Sequence, residues 1–213
     1  MTFQEKIQSL QLDILKEIGN IGAGHAATAL SNLLNTKIDM KVPNVQVMPF
    51  NEMMDLVGGA ENVVAAVYFR IEGDAPGSMY FVTSLEQATR IIKQLSNNNE
   101  FQIEDLEHNA LAASVLQEVG NILIGSYLSS FSDFTRLNIF PTVPALAIDM
   151  FGAIISYGLF EIGQVSDVAI VIDTIFFADE DKGKEELNGH FFLLPDPPSF
   201  EKIFNSLGFG TNE

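Results

Sequence analysis

The chain has 213 residues, and its 28 acidic and 11 basic side chains give a formal net charge of −17. Nucleic acids and anionic membrane surfaces are bound by clustered cations, so this charge argues against both partners. The sequence contains no cysteine, which excludes disulfides, thiolate metal sites and cysteine nucleophiles. Hydrophobic residues make up 47% of the chain, enough to form a buried core.

No segment has the pattern of a signal peptide or a membrane span. The N-terminus lacks a basic start followed by an apolar run, and no stretch approaches the roughly 18 uninterrupted apolar residues of a membrane helix. The best candidate, 151–160, is short and flanked by Asp149 and Glu161. We therefore expect a cytoplasmic protein that does not insert into membranes.

An internal repeat organises the chain. Residues 13–43 recur as 114–144 without a gap, at a constant offset of 101, and ten of the 31 aligned positions are identical. Such self-similarity indicates a duplication, because chance alone would give only about one or two identities. We predict repeats over approximately 8–100 and 108–208, fused into a single domain that spans 1–213.

Each half is predicted to contain a long helix, then strands, then a short helix. In the first half, 63–73 and 77–83 are predicted strands around a Gly/Pro turn, and Ser84 with Gln87 three residues later predicts a capped helix start. The second half continues with β-rich runs, an acidic loop, a further strand and a helix, in the order 153–163, 168–178, 179–186, 190–194 and a helix from Ser199 that Gly208 stops.

Hairpin-like strands dominate both halves. We therefore predict an α+β fold, in which one pseudo-two-fold domain has a mainly antiparallel sheet with the two long motif-bearing helices packed on it. An isolated half would leave its sheet face exposed, so two independent domains are not expected.

The long helix of each half carries a polar stripe. At 100° per residue, Asp13, Glu17 and Asn20 fall within about 60° of one another, opposite an apolar face. The second copy repeats this stripe with Ser114, Glu118 and Asn121. A Glu and an Asn on one solvated helix face usually have no role beyond keeping that face soluble. Solvent-facing residues drift after duplication, however, and this pair is kept while most of the buried face has changed, which favours a function.

The chemistry open to a glutamate and an asparagine is limited. An amide can donate to and accept from a water molecule and fix its line of attack on phosphorus. A carboxylate can pair with a partner's lysine or act as a base. The sequence contains neither a DxDx[TV] phosphatase motif nor a GxxxxGK[ST] loop. A phosphoryl group and its metal would therefore belong to the substrate.

Both copies match the pattern [Asp/Ser]-x3-Glu-x2-Asn-x22-Pro, at Asp13, Glu17, Asn20 and Pro43 and again at Ser114, Glu118, Asn121 and Pro144. This double motif resembles the signature of the CheC/CheX/FliY family of chemotaxis phosphatases, and two intact copies in a chain of this length resemble its CheC members. The resemblance implies that the protein dephosphorylates the aspartyl phosphate of the response regulator CheY.

The resemblance also implies a role for each motif residue. Asn20 and Asn121 would orient the hydrolytic water, and Glu17 and Glu118 would pair with the regulator's active-site lysine. The supporting positions Asp13 and Ser114 differ in charge, and Leu123 and Ile124 replace Gly22 and Ala23, so the two sites are expected to differ in activity. Pro43 and Pro144 would shape the turn into a strand.

Cofactor and partner expectations follow from the same resemblance. The protein would need no cofactor of its own, because the regulator supplies Mg²⁺. CheC proteins also bind the receptor deamidase CheD, and the segment PALAIDM with Asp149 resembles the family segment in which an Asp imitates the deamidase's glutamine substrate. The alternative for Asp149, a carboxylate at a strand edge or helix start beside the core, stays equally open.

Other candidate residues are weaker. His25, His108 and His190 lack metal-ligand spacing, so no metal site is predicted, and the acidic run 179–186 lacks the alternation of an EF-hand. Two alternatives to the phosphatase remain at this stage. One is a module that binds phosphorylated regulator or CheD with little turnover. The other is a structural pseudo-dimer in which the repeated Glu and Asn are packing residues.

Overall fold

The computed structural model describes residues 9–35, 37–96, 100–103, 106, 109–162, 168–178 and 185–207. These residues form six helices and eight strands. In chain order they are α1 (Ser9–Leu34), β1 (Ile38–Lys41), β2 (Val45–Pro49), α2 (Phe50–Leu56), β3 (Val63–Gly73), β4 (Gly77–Ser84), α3 (Leu85–Ser96), α4 (Ala110–Thr135), β5 (Ile139–Pro141), β6 (Ala145–Met150), α5 (Phe151–Ile162), β7 (Val168–Ala178), β8 (Glu185–Pro195) and α6 (Pro197–Ser206).

All described strands form one antiparallel sheet in the order β1-β7-β8-β4-β3-β5. Strand β2 also pairs with β7, and β6 also pairs with β3. The short strands of each half therefore pair with the long strand of the other half. This exchange makes each half complete the sheet of its counterpart, and the α+β fold predicted from the sequence is confirmed.

A pseudo-two-fold axis passes between Phe81 and Phe191 at the centre of the sheet. These residues face each other across β4 and β8, and their ring centroids are 5.0 Å apart. They also have equivalent partners, because Phe81 pairs with Val67 in β3 and Phe191 pairs with Ile172 in β7. The duplication seen in the sequence is thus preserved as symmetry in the sheet.

The sheet separates two helical layers because its side chains alternate between the two faces. One face packs against α1, α3, α4 and α6, and this larger core includes Phe69, Phe81 and Phe191. The other face packs against α2 and α5 through residues such as Tyr80 and Phe192. Both polar stripes lie on helices of the larger layer.

The two long helices have equivalent ends. Asn35 after α1 and Arg136 after α4 both adopt left-handed backbone angles, with φ of 49° and 62°. The Arg136 N–H donates to the Ser132 carbonyl at 2.8 Å, which satisfies a terminal carbonyl of α4. After each of these helices the chain enters a short strand that pairs with the opposite half.

Helix α4 is, in the part of the chain that the structure describes, the one helix long and apolar enough by length and composition to cross a membrane. Here it packs against α1 and the sheet. Its Tyr127 hydroxyl forms a buried 3.0 Å hydrogen bond with the Thr174 hydroxyl of β7. Helix α4 therefore serves as a core helix in this fold.

The sequence-based prediction of local structure needs correction at two helices. The prediction of a β-rich run at 153–163 is wrong, because helix α5 spans Phe151–Ile162. This helix buries Phe151, Ile154 and Ile155 at helical spacing. The last helix begins at Pro197 rather than Ser199, since proline fits the first helical turn.

Of the remaining predictions, one is confirmed and the others are not tested or lie mostly outside the described residues. The capped start at Ser84 is confirmed by a 3.2 Å hydrogen bond from the Gln87 N–H to the Ser84 hydroxyl. His108, Gly208 and most of the acidic run lie outside the described residues, and the last two residues of that run, Glu185 and Glu186, are in β8 and not in the predicted loop. The repeat limits and the single-domain assignment stay predictions.

Candidate functional site

The first polar stripe, Asp13, Glu17 and Asn20, lies on the outer face of α1. All three side chains are exposed, whereas Leu15 and Ile18 between them are 5% and 3% exposed and face the core. A helix of this kind forms because one face buries apolar side chains against the sheet and the opposite face stays in water.

The second polar stripe, Ser114, Glu118 and Asn121, repeats this arrangement on α4. Its three residues are exposed, and Leu116 and Val119 are buried beneath them. Helix α4 begins after Asn109, whose side chain accepts hydrogen bonds from the backbone N–H groups of the first turn. The duplication therefore presents two polar stripes on one helical layer, which share the glutamate and the asparagine and differ at the first position.

The first stripe is joined to the turn that holds its motif proline. The Asn20 Oδ1 accepts a hydrogen bond from the Val42 N–H at 3.1 Å, and the Val42 side chain is only 2% exposed. Pro43 follows in the exposed link between β1 and β2. The motif residues Asn20 and Pro43, which are 23 positions apart in the sequence, are thus neighbours in the fold.

The second stripe is held differently. Asn121 makes no side-chain hydrogen bond within the described residues, and Val143, the counterpart of Val42, is 87% exposed. Pro144 lies half-buried between β5 and β6. The Ser114 hydroxyl donates to the Ala110 carbonyl at 2.9 Å, so it is bound to its own helix. The two sites share residue types but not surroundings.

The carboxylates of both stripes are available to a partner. Asp13, Glu17 and Glu118 form no ion pair or side-chain hydrogen bond within the described part of the chain. The first site therefore presents two unpaired carboxylates and the second presents one. An exposed, unpaired carboxylate can accept a cation from another molecule without first breaking an internal bond.

The described residues contain no cluster of three or more His, Asp or Glu side chains that could hold a metal ion. His25 lies exposed on α1, and its Nδ1 is 3.2 Å from the Ser130 hydroxyl. The His190 Nδ1 is 2.8 Å from the Asp173 Oδ1 on the neighbouring strand. Neither histidine belongs to a polar stripe.

Asp149 lies on a different element from both stripes. It is an exposed residue of β6, opposite Val64 of β3, and comes two positions before α5. Its Oδ1 accepts the Met150 N–H at 2.7 Å. Asp149 is therefore at both a strand end and a helix start, and its exposed carboxylate can still be reached by a partner.

Sequence reasoning missed the two valines that distinguish the sites. Val42 and Val143 occupy equivalent positions and are the same residue type, so nothing in the repeat separates them. Their different exposure, 2% for Val42 and 87% for Val143, is seen only in the structure.

Comparison with known proteins identifies the family of this chain. A family model described as the CheC-like family matches residues 10–47 and 111–148, which contain the two stripes. The CheY-P phosphatase CheC of Bacillus subtilis (strain 168) is 48% identical over 208 residues, which are 98% of this chain and 99% of that relative. This chain belongs to the CheC-like family.

A second relative matches part of the chain. The flagellar motor switch phosphatase FliY of Bacillus subtilis (strain 168) is 32% identical over 128 residues, which are 60% of this chain and 33% of that relative. The CheC-like chain therefore spans about a third of that protein's length.

Solved structures show the same fold at low sequence identity. Thermotoga maritima FliY has a TM-score of 0.75 at 19% identity, covering 95% of this chain and 98% of that one. The FliM–SpeE complex of H. pylori has a TM-score of 0.66 at 14% identity, covering 95% of this chain and 97% of that one. The duplicated α+β architecture of the CheC-like chain is thus shared with both.

Proposed function

We propose that this protein is a hydrolase that removes the aspartyl phosphate from the response regulator CheY, with one site on α1 and one on α4. The activity is supported by the 48% identity over nearly the whole of a CheY-P phosphatase. The placement rests on one observation, which is that an exposed glutamate and an exposed asparagine recur at the same positions of both long helices. No residue of this chain needs to become phosphorylated.

The asparagine side chain orients the attacking water. During hydrolysis, the water oxygen forms a bond to phosphorus while the bond from phosphorus to the regulator's aspartate oxygen breaks, and the proton that the water gives up ends on the released phosphate. An amide fits this task because its Oδ1 accepts from the water while its Nδ2 donates to an oxygen of the phosphoryl group. Positioning of this kind accounts for much of the catalysis in phosphoryl transfer.

The glutamate docks the regulator. Glu17 precedes Asn20 by three residues and Glu118 precedes Asn121 by three, so each pair lies within one turn on one helix face. A lysine of the regulator's active site would bind this carboxylate, and the contact becomes stronger once the interface excludes water. The Mg²⁺ of the reaction belongs to the regulator, and the chain itself requires no cofactor.

CheD is the second partner that we propose, with Asp149 as its contact. The supporting observation is that this carboxylate is exposed on β6, apart from both polar stripes. Asp149→Lys should abolish CheD binding in a pull-down of the purified proteins while phosphate release from CheY-P stays unchanged. Equal CheD binding by the variant would remove Asp149 from this interface. A cytoplasmic location follows from these partners.

The test of the phosphatase is phosphate release from phosphorylated CheY. Wild type, Asn20→Ala, Asn121→Ala and the double variant are compared, with Asn32→Ala as a matched control because Asn32 is an exposed asparagine of α1 outside the motif. We expect acceleration to fall stepwise and to vanish in the double variant, while the control behaves as wild type. A folded wild type that binds CheY-P without accelerating release would instead support a binding module.

One observation favours a structural role for Asn20 in particular. Its Oδ1 accepts the Val42 N–H and so connects α1 to the end of β1. If this bond is its main role, Asn20→Ala should lower the free energy of unfolding by about 1 kcal/mol and leave turnover per folded molecule unchanged. Urea unfolding of the same five proteins measures this loss of stability, and phosphate release per folded molecule then separates the structural role from catalysis.

A further inference from the structure

Two leucines extend the polar stripes toward the start of each long helix. Leu10 on α1 is 52% exposed and Leu111 on α4 is 61% exposed. They are equivalent, since 111 − 10 gives the repeat offset of 101, and the two matches of the family model begin at these residues. The same exposed apolar side chain is therefore present at the same place twice.

Each leucine lies on the same side of its helix as the glutamate of the motif. The seven positions from Leu10 to Glu17 turn the helix by 700°, which leaves the two side chains about 20° apart around the axis. The same spacing separates Leu111 from Glu118. At 1.5 Å per residue, the leucine lies about 10 Å from the glutamate and about 15 Å from the asparagine along the axis.

The core does not explain these leucines. A single exposed leucine is ordinary on a protein surface, but here the residue is kept in both halves while its neighbours change. The four positions that follow Leu10 are Gln-Leu-Asp-Ile, and those that follow Leu111 are Ala-Ala-Ser-Val. The next shared residue is Leu15, with Leu116 as its counterpart, and both are buried. Leu10 and Leu111 are thus shared without being buried.

We propose that Leu10 and Leu111 are apolar anchors that bind the phosphorylated response regulator beside each Glu–Asn pair. This inference rests on the proposed function. The partner that contacts these leucines is the regulator, because each leucine lies on the helix face that presents the glutamate and the asparagine to the regulator. A partner's footprint of about 800 Å² has a radius of roughly 16 Å, so one regulator centred on the asparagine reaches the leucine.

The anchors contribute to binding and not to the chemical step. A leucine cannot orient water or carry charge, and its distance from the asparagine removes it from the reacting atoms. Its contribution is therefore the same in the ground state and in the transition state. Removing the leucine side chain should raise KM and leave kcat unchanged. Because the first stripe is acidic at Asp13 and Glu17, an apolar contact adds affinity without adding like charge.

The chain offers a matched control pair. Leu33 and Phe134 are also equivalent at the offset of 101, and they are 54% and 48% exposed. They lie near the opposite ends of the same helices, about 160° around the axis from the motif glutamates. Removing them takes away a similar amount of exposed apolar surface from the same two helices, but outside the proposed interface.

The experiment compares wild type, Leu10→Ala/Leu111→Ala, Leu33→Ala/Phe134→Ala and the conservative Leu10→Met/Leu111→Met. Steady-state phosphate release from phosphorylated CheY gives KM and kcat, and calorimetric titration with the beryllofluoride adduct of CheY gives Kd without turnover. We expect the first double variant to raise KM and Kd roughly 5-fold, with kcat within about 2-fold. The methionine variant and the control pair should behave as wild type.

Unchanged KM and Kd in the leucine-to-alanine variant, or an equal loss in the control pair, would overturn the anchors. A changed oligomeric state in light scattering with unchanged Kd would also overturn them, since it would show that a second copy covers the leucines. Failure of the proposed function looks different, because wild type would then release no phosphate. The anchors would still be supported in that case if the alanine variant lost affinity for the beryllofluoride adduct.

Discussion

The Asn20 side chain accepts a hydrogen bond from the backbone N–H of Val42 at 3.1 Å, while Asn121 has no such bond to Val143 in the part of the chain described. The two valines are equivalent in the repeat, yet they are 2% and 87% exposed. The Asn20 side chain is therefore held by a hydrogen bond within the protein, whereas the Asn121 side chain is free to rotate outward.

This difference predicts unequal catalytic sites. To reach into a regulator, Asn20 must share its Oδ1 between Val42 and the attacking water or give up a bond worth about 1 kcal/mol, which corresponds to roughly a 5-fold effect on rate. Asn121 pays no such cost. We expect Asn20→Ala, which retains the second site, to keep most of the kcat for phosphate release, and Asn121→Ala to lose most of it.

Single-turnover measurements with each variant in excess over phosphorylated CheY would check this order. Thermal unfolding serves as the control, because Asn20→Ala also removes the bond to Val42. Equal rates for the two variants, or a slower Asn20→Ala, would mean that the hydrogen bond to Val42 organises the first site instead of restraining it.

The sequence predicted the two stripes because their information is local. Glu17 and Asn20 lie within one turn of a helix, and the offset of 101 compares one surface with another in the same chain. The contact between Asn20 and Val42 depends instead on where β1 enters the sheet beside β7, a pairing between the two halves that no local pattern encodes.

Helix α5 shows a second limit of sequence reasoning. The apolar run from Phe151 has few polar residues to reveal a period, and its β-branched residues favour a strand. In the fold, β6 already fills the edge position beside β3, so the following run folds back as a helix over the sheet. Tertiary packing therefore makes this run a helix, although its local propensity favours a strand.

The motif glutamates should make regulator binding sensitive to salt. Glu17→Gln/Glu118→Gln removes both proposed carboxylate–lysine contacts but keeps the size of the side chains. We expect KM for phosphorylated CheY to rise roughly 5- to 10-fold at low salt and its dependence on sodium chloride to weaken. Glu86→Gln, an exposed glutamate of α3, is the control. An undiminished salt dependence in the double variant would assign the lysine contact to other residues.

The contact between the two long helices depends on Gly22. A Cβ at this position would lie 3.0 Å from the Tyr127 Cα and Cδ1, whereas one at Gly24 would meet no atom within 4 Å. Gly22→Ala should therefore push α1 away from α4 and lower the free energy of unfolding by about 1–3 kcal/mol. Gly24→Ala should raise it by up to about 1 kcal/mol, because alanine favours a helix. Urea unfolding of both variants tests the contrast, and two equal losses would contradict it.

Tyr127 links stability to pH. Its hydroxyl is buried against Thr174, and this burial raises the pKa of Tyr127 above its ordinary value near 10. Above pH 10 the unfolded chain therefore releases this proton while the folded chain retains it. The unfolded state then holds fewer protons, so the free energy of unfolding falls as pH rises, by up to about 1.4 kcal/mol per pH unit from this group.

Tyr127→Phe removes that titration and also leaves the buried Thr174 hydroxyl without its Tyr127 partner. Below pH 9 the variant should be about 1–2 kcal/mol less stable than wild type, because the hydrogen bond is lost. Between pH 10 and 11 the difference in the free energy of unfolding should narrow, because ionisation of Tyr127 in the unfolded chain lowers this free energy in wild type alone. Urea unfolding at pH 8, 9, 10 and 11 checks this in both proteins. A gap that stays constant across the series would show that Tyr127 ionises equally in the folded and unfolded chains.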